Sequence, residues 1–135
     1  VSGGTINLVV AGVLGAHGIG HVLGWLPAWG LARFEGVSSR SWLVTGLAGD
    51  GGSRLLAGLL FLVPTVGFVA AAAGLLTGQP WWRGVAVASA AVSLGATALY
   101  PQAFTAGSTI GSMAVDLVVL YAVLVAGWGV EPSAL

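Results

Sequence analysis

Hydrophobic positions along the chain gather into four stretches long enough to cross a bilayer, each bounded by Gly, Pro or polar residues. The first covers residues 6–26 and stops before "PAWG", where Pro27 and Gly30 interrupt it. A connection at 27–52 follows. Its apolar part, "RSWLVTGLAG", is too short to span and predicts a segment lying at the membrane interface. The second stretch, 53–77, has Ser53 as a plausible N-cap and Pro64 in its interior, which predicts a kink near Leu60. After the turn "GQP" come the third stretch, 81–100, and, past "PQAFTAGST", the fourth, 110–129; the tail "VEPSAL" ends the sequence. The expectation is an all-α polytopic membrane protein, an antiparallel four-helix bundle forming a single domain over residues 1–135. The first stretch is too long for a secretory leader and "VSGGT" ahead of it carries no positive charge, so a mature helix is expected there.

Composition supports lipid as the solvent. Hydrophobic residues make up 57% and charged residues 6% of the 135, and mean hydropathy is +1.00. A soluble domain carries about a quarter charged residues. Net charge is zero, which gives no basis for a nucleic-acid partner. Without cysteine, disulfides, thiolate metal sites and thioether-linked haem are excluded. Trp25, Trp29, Trp81, Trp82 and Trp128 fall near the predicted helix ends, where indoles anchor at headgroup level, and Trp42 suits the same depth. Arg33, Arg40 and Arg54 lie on the side of the long connection, against Arg83 on the side of the termini. The positive-inside rule then places the loop in the cytoplasm and the termini outside.

The ionisable residues within these stretches carry the candidate chemistry. In "AHGIGHVLGW", His17 and His21 stand four apart and share one helical face. At about 1.5 Å of rise per residue, His21 falls roughly 8 Å and His17 roughly 14 Å below the loop-side boundary, with Asp116 at roughly 9 Å. A carboxylate facing lipid costs roughly 2.5–3.5 kcal/mol on insertion scales, so Asp116 is expected to turn inward and find a partner among His17, His21, Arg54, Tyr100 and Ser93. Thr97 and Gln102 lie at similar depth. The expected site is a polar cluster of His17, His21 and Asp116, open toward the loop side, with Arg54 at its mouth.

Other uses have less support. Two histidines and one carboxylate are a weak metal set with no third histidine, so neither metal nor other cofactor is expected. No dinucleotide fingerprint, phosphate loop or nucleophile elbow is present, and enzymatic activity is not indicated. Gly12, Ala16, Gly20 and Gly24 recur every four residues and predict close packing of the first helix within the chain, with dimerisation as the alternative.

With "HGIGHVLGW", "PTVGFVAAAAGLLTGQPWW" and "GSMAVD", the chain resembles small, four-helix bacterial integral membrane proteins filed near the DoxX-like set. Related sequences often carry Asp-x-x-x-Gly before the fourth helix; "FTAGSTIGSM" lacks that Asp, leaving Asp116 as a substitute. The resemblance implies this architecture, in a bacterial inner membrane, and no particular activity. Three readings follow: binding or transport of a small molecule or proton; an accessory subunit of a larger membrane complex or a homodimer; and a membrane enzyme acting on a lipid or quinone through a portal near His21.

Overall fold

The computed structural model describes residues 3–129; the tail at 130–135 lies outside the described residues. The elements are α1 (Gly3–Gly20), α2 (Val22–Ala28), α3 (Val44–Leu76), α4 (Trp82–Leu99) and α5 (Ala106–Leu120), with a π-helical turn at Tyr121–Val125. They make four apolar spans, Gly3–Ala28, Val44–Leu76, Trp82–Leu99 and Ala106–Val125, with no strand among the described residues. The protein is thus an all-α, four-span membrane bundle. Helices satisfy their own backbone polar groups, which hydrocarbon cannot do for them.

Packing runs in chain order. α1 and α2 lie against α3, α3 against α4, and α4 against α5. α5 has little backbone contact with α1, and a crevice lined by both helices separates them. Small residues set the close approaches. A Cβ on Gly18 would fall 2.9 Å from the Phe68 Cβ, and one on Gly24 would fall 2.6 Å from the Phe61 ring. A Cβ on Gly58 would collide with the Trp29 indole, and one on Gly67 with the Ser89 hydroxyl. Around these contacts one core gathers Leu14, Phe68, Trp82 and Val123, and a second, toward the loop, gathers Phe61, Tyr100 and Phe104.

The first span is broken at His21. Its backbone N–H bonds to Gly18 O at 3.1 Å, three residues back, so the His17 carbonyl loses its helical donor. The His21 ring fills that place: Nδ1–H donates to His17 O at 2.9 Å. The side chain repairs the break that its own backbone makes.

Several boundaries differ from expectation. α3 begins at Val44, and the cap role falls to Ser41, whose hydroxyl accepts from the N–H groups of Leu43 and Val44 at 3.2 and 3.1 Å. Ser53 is inside the helix, and its hydroxyl donates to Ser39 O at 3.1 Å. The non-helical backbone within α3 is at Gly49, not near Leu60. There φ is 73° and ψ 178°, a region open essentially to glycine alone. Gly49→Ala is therefore expected to cost about 1–3 kcal/mol and to lower the melting temperature in detergent; an unchanged melt would contradict this role. At the far end, Arg83 Nε and Nη2 donate to Trp128 O and Val123 O, each at 3.1 Å, holding the carbonyls that end the fourth span.

The stripe of small residues also needs correction. Gly12 and Gly20 have nothing within 4 Å of an added Cβ and are exposed, as is Ala16; of the four, only Gly24 is buried. The first span packs instead through Ala11, Leu14, Gly18, His21, Gly24 and Ala28. Trp82 is 5% exposed and sits edge-on to Trp128 at 5.4 Å, so it is a core residue and no interfacial anchor. Trp25 and Trp29 are half-buried and pair at 5.8 Å, while Trp81 remains exposed.

Candidate functional site

α5 starts at Ala106, earlier than the expected 110, so Asp116 lies roughly 15 Å along the helix from its start. That places it level with His17, one turn deeper than His21. His17 Nε2–H donates to Asp116 Oδ1 at 2.8 Å. The Ser93 hydroxyl on α4 lies 2.5 Å from Asp116 Oδ2, and on its other side 2.7 Å from His21 Nε2. Three helices therefore contribute to one continuous chain: His17, Asp116, Ser93, His21, and back to the His17 carbonyl through His21 Nδ1–H.

The chain is enclosed by aromatic rings. Phe68 meets the His17 ring edge-on at 4.7 Å, and Phe61 and Phe104 stand 6.2 and 6.1 Å from the His21 ring. The two imidazoles are themselves perpendicular, with centroids 4.7 Å apart. Asp116 is fully buried, whereas the His17 side chain keeps 9% exposure. That exposure opens on a cavity of about 250 Å³ between α1 and α5, lined by His17, His21, Leu23, Phe104, Ser108 and Ser112 among others. Ser112, whose Oγ is buried without a protein partner, is one of the lining residues. Beyond His17, toward the termini, the crevice widens into a groove of about 540 Å³ whose lining is almost wholly apolar, including Ile6, Val10, Val118 and Trp128.

Of the residues predicted for the site, His17, His21, Asp116 and Ser93 meet. Two do not join them. Tyr100 is buried and its hydroxyl donates to Ser53 O at 2.9 Å, tying α4 to α3. Arg54 Nε donates to Ala28 O at 2.8 Å and its side chain lines a separate pocket at the loop face. The expected Arg54 mouth of the His site is thereby overturned. Sequence reasoning missed Ser112 and Phe104; Ser112 stands one helical turn before Asp116, a signal that could have flagged it. His17, His21 and Asp116 were weak metal candidates, but among the described residues no group of three such ligands converges. Both His21 nitrogens are already engaged.

Compared with known proteins, the chain matches no family, no curated protein and no solved structure. Of the expected resemblance, the four-span all-α membrane bundle is what the structure shows, and no comparison supports membership of the DoxX-like set.

Proposed function

We propose that this membrane protein binds a proton at the His17–Asp116–Ser93–His21 chain and shares it between Asp116 and His21 through the Ser93 hydroxyl. The observation that carries this reading is the pair of short links on either side of Ser93, 2.5 Å to Asp116 and 2.7 Å to His21. Each link needs a hydrogen between its heavy atoms, since lone pairs facing each other at such distances repel. Ser93 supplies one. His21 Nδ1 is committed as a donor to a carbonyl, which accepts only, so the second hydrogen comes either from Asp116 as the neutral acid or from His21 Nε2.

Two states satisfy every group. In one, Asp116 Oδ2–H donates to Ser93 and Ser93 donates to a singly protonated His21. In the other, His21 Nε2–H donates to Ser93 and Ser93 donates to the Asp116 carboxylate. They interconvert by moving two hydrogens along the chain, and the carboxyl–imidazole pair holds one shared proton in both. His17 offers the route of exchange. It is the carboxylate's partner that reaches the cavity, and an imidazole can take a proton on one nitrogen while releasing one from the other. The apolar groove beyond it supplies no continuing polar path, so the reading is of binding and exchange from one side.

Ser93→Ala tests the proposal. Infrared difference spectra after a pH jump in bilayers are expected to show linked carboxyl and imidazole bands in the parent protein. The variant is expected to uncouple them while the helical amide bands stay unchanged. Bands that remain linked without the hydroxyl would refute the relay.

A further inference from the structure

The loop-face pocket that takes Arg54 is a second site, independent of the proton chain. It has a volume of about 540 Å³, and Arg33, Arg40, Arg54 and Asp50 line it together with Ser38 and Ser39. Three of the chain's four basic side chains converge there. Asp50 is held by Arg40 at 3.3 Å, and Arg54 spends only its Nε on the Ala28 carbonyl. Arg33 makes no hydrogen bond or ion pair among the described residues, and Glu35 of the same loop is not in the lining. The pocket therefore presents free guanidinium donors and a surplus of two positive charges in a protein whose net charge is zero.

Its walls are fixed. Ser38 N–H donates to Gln102 O at 2.8 Å, joining the loop to the connection before α5. Thr45 donates to Ser53, and Ser53 to Ser39 O, at 2.9 and 3.1 Å, pinning the loop's return onto α3. The same connection and the start of α3 carry exposed apolar side chains: Leu47 is 79% and Trp42 71% exposed, Leu31, Phe34 and Leu43 are exposed as well, and Phe34 lines the pocket itself. Charge and hydrophobe placed side by side at the end of a membrane bundle match the two parts of a phospholipid, an anionic phosphate and the upper acyl chain.

We infer that the Arg33–Arg40–Arg54 pocket binds the phosphate headgroup of an anionic membrane lipid. The forked guanidinium donors suit phosphate oxygens, and the surplus charge selects an anionic headgroup over a zwitterionic one.

Native mass spectrometry of the full chain in detergent, titrated with phosphatidylglycerol or phosphatidylcholine, tests this. Phosphatidylglycerol is expected to bind more tightly. Arg33→Gln should weaken it about fivefold, the effect of one elementary charge near an anionic surface, and R33Q/R40Q further, both with unchanged melting temperature. Both side chains are exposed, so the fold does not rest on them. Equal affinity for the two lipids, or phosphatidylglycerol binding unaltered in the double variant, would overturn the inference. Displacement of the lipid by equimolar inorganic phosphate would overturn the lipid source and assign the pocket to a soluble anion.

Discussion

Asp116→Asn is expected to leave the bundle folded and to abolish proton exchange at the site, while Asp116→Ala unfolds it more readily. The asparagine can reproduce every hydrogen-bond direction of the protonated carboxyl. Its Oδ1 accepts from His17 Nε2–H, and its amide donates to Ser93, which then donates to His21 Nε2. One state of the chain is thus frozen in place. Only the second amide hydrogen is left over, a loss of about 1 kcal/mol. Alanine removes the acceptor altogether and strands His17 Nε2–H, at about 1–3 kcal/mol, and it leaves the Ser93 hydroxyl with His21 Nε2 as its one partner. It also deletes the side-chain bond that ties α5 to α1 across the crevice. Thermal melts in detergent should order the proteins parent, then Asn close behind, then Ala well below. Pulsed pH-jump infrared spectra should lose the Asp116 carboxyl band in both variants. An asparagine variant as unstable as the alanine one would show that the carboxylate charge, and not the hydrogen-bond pattern, holds the chain together.

A second large effect is expected where the first span meets α3. Gly18→Ala places a methyl group 2.9 Å from the Phe68 Cβ, 3.0 Å from Thr65 O and 3.2 Å from Val69 N. None of these atoms sits at the end of a flexible side chain, so relief requires α1 to move off α3. Overpacking of this kind costs about 1–3 kcal/mol, and moving α1 also disturbs the bond between the neighbouring His17 and Asp116. Gly20→Ala, two residues on, meets nothing within 4 Å. It should leave stability unchanged or raise it by up to about 1 kcal/mol through helix propensity. The pair of melting temperatures checks the packing register directly: equal shifts would mean that the two glycines face the same surroundings.

That contrast also shows how far the sequence could be read. The four spans were legible because lipid demands long apolar runs, and the shared face of His17 and His21 followed from their spacing. The cost of exposing a carboxylate to lipid points Asp116 inward, and it is fully buried. The small-residue stripe misled for a geometric reason: residues four apart advance about 40° beyond a full turn, so the stripe drifts about 120° between Gly12 and Gly24. Gly12 therefore faces outward while Gly24 packs on Phe61. The start of α5 was hidden because "FTAGST" is only weakly hydrophobic, and that shifted the predicted depth of Asp116 toward His21 when its direct bond is to His17. In the sequence, depth alone points to Arg54 as the mouth of the site. Its actual partner, a backbone carbonyl at the end of α2, leaves no trace in side-chain patterns.

The shared proton can be counted directly by solid-state NMR of the protein in bilayers, labelled with nitrogen-15 in histidine and carbon-13 in aspartate. The account predicts that Asp116 and His21 carry one exchangeable proton between them: where His21 Nε2 is bare, the Asp116 carboxyl reads as neutral acid, and where His21 holds both ring protons, it reads as carboxylate. Spectra showing a bare His21 Nε2 together with an ionised Asp116 in the same population would contradict it.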